Sequence, residues 1–257
     1  MIGEIGKEIK FGLRSGKLLI LLASFLFFAL LTPVMLKFVL PGVLQGQGVS
    51  SEDFGGIMGM TQTACIQIYM NDVFEMGTIL VAFTLCGLVA QEIRDNTLVL
   101  PLCSGRGFGS IIAAKLLVFG GALVGIPLLA LVADYIYAGL LFSFEVELFS
   151  IIRGGILQGM YMIFLICCVI MWGSVLKRPI ATGFLTLVTA FGLHFTGGLL
   201  GIHEWLPSGV LLQAQQLTEA TDQSLITSLA ITTLLSAVMF AVALWRMKNM
   251  EWNERHA

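Results

Sequence analysis

Few residues in this sequence combine the types and the spacing that catalysis requires. His203-Glu204 begins like the His-Glu-x-x-His pattern of zinc hydrolases, but no second histidine follows at that spacing, and His194 lies nine residues earlier. The sequence has no Gly-x-x-x-x-Gly-Lys-Ser/Thr loop for nucleotide phosphates. We therefore predict no catalytic residue, no cofactor-binding residue and no metal ligand. A membrane enzyme is thereby disfavoured.

A group of sulfur-containing residues raises copper as an alternative. Thioether and thiolate ligands select Cu(I), and the group comprises Met58, Met60, Cys65, Met70 and Met76. Their spacings of 2, 5, 5 and 6 residues repeat no known motif. Methionine also fills gaps in apolar surfaces, and that interpretation is favoured.

Four threonines form a polar stripe, at positions i, i+4, i+7 and i+14 of one apolar run. They are Thr182, Thr186, Thr189 and Thr196. In one interpretation each hydroxyl donates to a carbonyl of its own helix. In the other, the stripe is a translocation surface or a helix–helix contact. Both interpretations stay open from sequence.

The composition is that of a helical bundle in a membrane. Of the 257 residues, 57% are hydrophobic and 12% are charged, and the mean hydropathy is +0.93. A soluble domain carries about twice that charged fraction. The net charge of −2 is not that of a nucleic-acid-binding protein. We predict one all-α transmembrane domain over residues 1–257.

Six apolar runs are long enough to cross a bilayer, which takes roughly 17–25 residues. They are 18–40, 73–90, 111–142, 156–176, 180–200 and 225–245. The third run is too long for a simple crossing, so it should tilt or project, with a kink at Pro127. Two carboxylates, Glu75 and Asp134, are expected at the outer boundary, where water reaches them. A short interfacial helix is expected near residues 57–70.

The N-terminal residues 1–17 are predicted to form an amphipathic helix in the membrane interface. Ile2, Ile5, Ile9 and Leu13 recur at helical spacing, while the basic residues fall on another face. With the N-terminus inside, twelve of the 14 basic residues lie on the cytoplasmic side; the exceptions are Lys37 and Arg153. The positive-inside rule therefore predicts that both termini are cytoplasmic.

The segment 91–107 is an island of charge between the second and third runs, and it resembles a known family. The matching residues are Glu92, Thr97-Leu98, Pro101, Arg106 and Lys115. They resemble the pattern Glu-x-x-x-Gly-Thr-Leu…Pro-x-Ser-Arg…Gly-Lys, which follows the second span of ABC-2-type exporter permeases. Two positions depart from the pattern: Asn96 stands where the family usually has glycine, and Gly105 separates Ser104 from Arg106.

The resemblance implies the architecture and the partners. The segment would be a short cytoplasmic coupling helix between spans 2 and 3 that docks on a separate ATPase subunit, and residues 1–17 would be the interfacial elbow helix. The ATPase-coupling residues would be Glu92, Arg94, Thr97, Leu98, Pro101 and Arg106. ATP and Mg would bind to the partner ATPase, with none in this chain.

The function that we predict is that of a permease subunit of an ATP-binding cassette exporter, and not of an enzyme. Two copies would pair in the cell membrane, of the bacterial cytoplasmic kind, above two ATPase subunits. They would export a peptide, a drug or a lipid-like molecule. The alternative is a secondary transporter, or another multi-pass membrane protein that has no ATPase partner. It is disfavoured because the runs lack paired buried charges for ion coupling.

Overall fold

A computed structural model describes residues 2–46, 61–103, 105, 107–216 and 222–249. Within these ranges the chain forms helices and no strand. The helices are α1 (Ile2–Arg14), α2 (Lys17–Val34), α3 (Leu40–Gly46), α4 (Gln62–Leu85), α5 (Gly87–Arg94), α6 (Val99–Cys103), α7 (Phe108–Lys115), α8 (Gly121–Leu141), α9 (Leu148–Leu176), α10 (Pro179–Leu200), α11 (Pro207–Gln215) and α12 (Asp222–Lys248). The π-helical turns Met35–Val39 and Leu116–Gly120 join α2 to α3 and α7 to α8.

Six helical stretches of the described chain are long and apolar enough to cross a membrane. Spans 1 to 6 are Lys17–Val43, Gln62–Arg94, Phe108–Leu141, Leu148–Leu176, Pro179–Leu200 and Ser224–Lys248. This confirms the prediction of an all-α, multi-pass membrane protein. We call the end of the bundle that carries α1 the α1 end, and the opposite end the far end.

Spans 2 and 4 begin earlier than the hydropathy pattern predicts, at Gln62 and Leu148 rather than at 73 and 156. Gln62 is fully buried, and backbone groups from another part of the chain form hydrogen bonds with its side-chain amide. Its Nε2 donates to the Tyr135 carbonyl at 3.0 Å, and its Oε1 accepts from the Glu145 and Val146 backbone N–H groups. Of the interfacial helix expected near 57–70, the part from residue 62 onward is the start of α4, and residues 57–60 lie outside the described ranges.

Span 4 lies at the centre of the bundle, with two-thirds of its most apolar window buried. Small residues let span 3 approach it. A Cβ atom on Gly155 would lie 2.4 Å from Leu128, and one on Gly159 would lie 2.9 Å from Val124. α8 is continuous through Pro127, and the departure from α geometry in span 3 is the π-helical turn before it.

The outward faces of the spans are strongly apolar. Leu140 is 73% exposed, Ile180 71% and Leu199 70%. A surface of this kind is stable against lipid tails rather than water. The outward faces therefore support the membrane assignment independently of helix length.

A short buried helix, α11, lies between the fifth and sixth apolar runs. Pro207 starts it at a position that needs no N–H donor. Gly209 allows close approach, since a Cβ atom there would lie 2.3 Å from the His203 carbonyl. The helix packs between spans 4 and 6 at the far end. Its buried polar side chains, such as Gln213, explain why hydropathy misses it.

Candidate functional site

Span 2 ends in a tight turn whose geometry explains one departure from the family pattern. The Thr97 N–H donates to the Glu92 carbonyl at 3.1 Å, and the Asn96 N–H donates to the Ile93 carbonyl at 3.2 Å. This pair of bonds is the Schellman arrangement, which needs a left-handed residue just after the helix. Asn96 has a φ of 53°. Glycine adopts this conformation most easily and asparagine tolerates it, so Asn96 can take the conformation that a glycine would take at this position.

The segment that follows the turn is fixed by one side chain and exposed elsewhere. Leu98 is only 1% exposed and packs into the main core. By contrast, Arg94, Thr97 and Val99 are exposed. Pro101 is half-buried in the short helix α6, which matches the predicted helix between spans 2 and 3. Arg106 lies outside the described residues.

A buried ion cluster lies directly behind this exposed segment. The Lys115 ammonium donates to both carboxylate oxygens of Glu8 at 3.0 Å, and to Oε1 of Glu92 at 2.8 Å. The side chains of Lys115, Glu8 and Glu92 are 1%, 3% and 16% exposed. We call these three residues the Lys115 cluster. It connects α1, the end of span 2 and the start of span 3.

α1 presents two functionally different faces. Its inward face carries Glu8, together with Glu4, which accepts a hydrogen bond from the Ser110 hydroxyl at the start of span 3. Its outward side carries exposed basic residues and exposed apolar residues, including Ile9 and Leu13. This pattern agrees with a helix lying in the membrane interface. The role of the two glutamates was not predicted, although their i, i+4 spacing places both on one face.

The Lys115 cluster contains more negative than positive charge. Two carboxylates share one ammonium, and Oε2 of Glu92 is buried without a hydrogen-bond partner among the described residues. The ammonium also lies 5.8 Å from the Phe11 ring centroid, so a weak cation–π contact adds to the ion pairs. Removing one member of such a buried set typically costs about 3–5 kcal/mol. The cluster therefore opposes the separation of the three elements.

The hydroxyls of the threonine stripe donate to backbone carbonyls of their own helix or its cap. Thr182 and Thr186 are fully buried, and their hydroxyls donate to the Arg178 and Thr182 carbonyls at 2.9 and 2.8 Å. Thr189 donates to the Leu185 carbonyl and accepts from Trp172. Thr196 is exposed and donates to its own helix. These are the hydrogen bonds within the helix that the first interpretation predicts. The translocation role stays a prediction.

A second polar stripe, which the sequence analysis did not single out, follows the outward face of span 2. Gln67, Asn71 and Glu75 recur every four residues, and all three are exposed. The Asn71 amide donates to Glu75 at 3.1 Å, and the Gln67 amide donates to the Gln215 carbonyl at 3.3 Å. A groove of about 490 Å³ lies beside them, lined by Gln67, Ile68, Asn71, Leu212, Gln215 and Gln216. We call Gln67, Asn71 and Glu75 the span 2 stripe.

The expectation for Asp134 is wrong. Asp134 is fully buried inside the protein, whereas contact with water was expected. It follows Pro127 by two helical turns on the side of α8 that faces span 2, where Tyr69 donates to the Pro127 carbonyl. Tertiary packing, which hydropathy does not report, determines this burial.

No metal site is found within the described ranges. No group of three or more His, Cys, Asp and Glu side chains there could hold an ion. Of the sulfur residues considered for copper, Cys65 and Met70 are buried, Met76 is exposed, and Met58 and Met60 lie outside the described residues.

Comparison with known proteins identifies no relative. No protein-family model matches the chain, and no curated protein and no solved structure matches it. The class that the fold defines is therefore an all-α, multi-pass membrane protein, and its function must be argued from the geometry.

Proposed function

We propose that this chain is the permease subunit of an ABC exporter whose ATPase is a separate polypeptide. Two copies would form the pathway, with the α1 end facing the cytoplasm and two ATPase subunits beneath. The observation that carries the proposal is the Lys115 cluster, which joins an exposed inter-span segment to two other elements.

The arrangement suits the transmission of force from a partner. The residues available for docking are Arg94, Thr97 and Val99, all exposed at the tip of the segment. Behind them, Glu92 binds Lys115 of span 3, and Lys115 binds Glu8 of α1. A push on the segment would therefore displace α1 and span 3 together, because breaking the cluster is costly.

The span 2 stripe supports pairing with a second copy. Glu75 follows Gln62 by 13 residues, which places it about 20 Å along the helix from the start of span 2. An exposed carboxylate on the outward face of a span is unstable where it meets lipid, so it should face water or another protein chain. A homodimer with this face inward would line a polar path between the two copies. Such a path would carry a molecule with polar groups, as a peptide, a drug or a lipid-like molecule has.

Affinity purification from the native membrane tests the proposal. The tagged chain should bring down a stoichiometric P-loop ATPase, and the complex should hydrolyse ATP. The double variant Arg94→Gln/Thr97→Ala should lose the ATPase while keeping the expression level and thermal midpoint of the unmodified chain. Arg178→Gln is the matched control, because Arg178 is also exposed at the α1 end. Recovery of the unmodified chain without any ATPase, together with ATP-independent transport in vesicles, would refute the proposal.

Glu92→Ala is a poor test of coupling, although Glu92 lies in the docking segment. The substitution removes a ligand of Lys115 as well as any contact with a partner. Loss of function would then report destabilisation. Substitutions at the exposed residues Arg94 and Thr97 separate loss of docking from loss of stability, because neither residue binds Lys115.

One observation favours the secondary transporter as a second candidate. Asp134 is an ionisable group buried within a span, as ion-coupled transporters require. Transport in ATP-free vesicles driven by an imposed proton gradient would support that class. The same assay with ATP and the co-purified ATPase, but without a gradient, supports the exporter.

A further inference from the structure

The charged side chains of α1 are divided between two faces of the helix. The acidic residues, Glu4 and Glu8, are buried and bonded to the start of span 3. The basic residues Lys7, Lys10 and Arg14 are exposed, and none of them forms an ion pair with a described residue. We call Lys7, Lys10 and Arg14 the α1 basic face. Its positive charge is not compensated within the described ranges.

A groove of about 660 Å³ follows the α1 basic face. Its lining residues are Gly3, Gly6, Lys7, Lys10, Phe11 and Arg14. The space over the two glycines is open, because a Cβ atom on either would have no neighbouring atom within 4 Å. Side chains three or four residues apart on a helix have Cβ atoms about 5–6 Å apart, so Lys10 can share one anionic group with Lys7 or with Arg14.

An apolar stripe adjoins the groove. Ile9 and Leu13 are exposed, and Leu13 follows Lys10 by three residues, so the two side chains are neighbours on the helix surface. Leu19 and Ile20 at the start of span 1 are exposed as well. The charges of α1 are disfavoured in hydrocarbon and its apolar side chains are disfavoured in open water. This combination suits the layer of lipid headgroups.

The connections of α1 keep it beside the spans. Only Ser15 and Gly16 separate Arg14, the last residue of α1, from Lys17, the first residue of span 1. The inward face is joined to the start of span 3 by the Lys115 cluster. The helix therefore lies where two spans begin, with its groove turned away from the bundle.

The ligand that matches both surfaces is an amphiphile with an anionic head and apolar tails. We propose that α1 binds an anionic phospholipid of the surrounding bilayer, with the phosphate at the α1 basic face and the acyl chains against Ile9 and Leu13. A soluble acidic protein would leave the apolar stripe uncovered. A zwitterionic lipid would bring a cation that the basic face repels. The proposal does not depend on the exporter function.

Lipid binding on α1 has a consequence for stability. Because the Lys115 cluster joins α1 to spans 2 and 3, a lipid that binds the folded α1 stabilises the arrangement of all three. The thermal midpoint should therefore depend on the headgroup charge of the bilayer.

Native mass spectrometry of the full chain measures the headgroup preference. The purified chain is mixed in detergent with equal amounts of phosphatidylglycerol and phosphatidylcholine that have identical acyl chains. Each basic residue at a membrane surface favours anionic lipid by about fivefold, so three should favour phosphatidylglycerol by about 100-fold. Lys7→Gln/Lys10→Gln/Arg14→Gln should remove most of this preference.

A matched control removes the same charge elsewhere at the α1 end. Arg178→Gln/Arg246→Gln/Lys248→Gln changes three basic residues that are exposed or half-buried and lie outside α1, and it should keep the preference. In nanodiscs, replacing phosphatidylcholine by phosphatidylglycerol should raise the thermal midpoint of the unmodified chain and of the control. The midpoint of the α1 variant should stay nearly unchanged.

Four results would overturn the proposal. The first is equal retention of the two lipids by the unmodified chain, and the second is a preference that the α1 variant keeps or the control loses equally. The third is displacement of phosphatidylglycerol by excess inorganic phosphate, which would indicate a site for free phosphate. The fourth is an α1 variant that keeps the lipid preference but loses a co-purifying ATPase, which would indicate that the basic face docks a protein.

Discussion

Removal of the Lys115 ammonium should destabilise the chain strongly. In Lys115→Met, the Glu8 carboxylate loses both of its bonds to the ammonium while its side chain is 3% exposed, and Glu92 loses its 2.8 Å contact. Breaking a buried pair in this way costs about 3–5 kcal/mol, because a desolvated charge stays behind. At about 2–4 °C per kcal/mol, the thermal midpoint should fall by roughly 6–20 °C.

The surface pair Arg94–Asp95 provides the matched comparison. Its side chains are 56% and 41% exposed, and the N–O distance is 3.1 Å, close to those in the Lys115 cluster. Arg94→Met should therefore cost less than about 1 kcal/mol. The measurement is thermal unfolding in nanodiscs, followed by tryptophan fluorescence, with each variant at equal membrane yield.

A triple variant separates the lost interaction from the charge left behind. Glu8→Gln/Glu92→Gln/Lys115→Met contains no buried charge at these positions, so most of the lost stability should return. A midpoint for Lys115→Met that equals that of Arg94→Met would refute the reasoning. So would a triple variant as unstable as the single one, because the penalty would then not arise from unpaired carboxylates.

Three further outcomes are expected. Asn96→Gly should leave the thermal midpoint unchanged within error. Asn96→Val should lower stability by about 1–2 kcal/mol, because a β-branched residue is strained at a φ of 53°. Equal midpoints for the two variants would contradict the Schellman assignment. Gly159→Val should cost about 1–3 kcal/mol of stability by forcing Val124 of span 3 away. Gly125→Val should be tolerated sterically, because no neighbouring atom lies within 4 Å of its added Cβ. Unfolding curves of the two variants measure the difference in stability. Glu75→Leu should weaken the pairing of two copies without unfolding the chain, as measured by cross-linking in the membrane, and unchanged cross-linking would count against the span 2 stripe as an interface.

The parts of the fold that hydropathy and helical periodicity determine were predictable. Six long apolar runs must become helices in lipid, because only helices and closed barrels satisfy the backbone there. The short helix between spans 2 and 3 was expected from the family resemblance. Helix starts were less predictable where polar side chains are satisfied by distant groups. Gln62, for example, bonds to Tyr135 and Glu145, more than 70 residues away.

The candidate site was predictable only in part, because its residues bind groups that are distant in the sequence. Glu92 stood out because charge is rare beside an apolar run, but nothing local shows which cation it binds. Glu8 could be placed on a face of α1, yet its partner lies 107 residues away. Asp134 was misplaced because a carboxylate in an apolar run suggests contact with water, whereas helix packing buries it.

In the proposed function, the exposed segment and the Lys115 cluster would act together to transmit a displacement. A docking loop must be exposed to meet a partner, and an exposed loop alone would bend without moving the spans. Leu98 and the Schellman turn fix the segment to the end of span 2, and Glu92 joins that end to Lys115. Because Lys115 lies at the start of span 3, the contact with Glu92 would carry a displacement of the segment to that span.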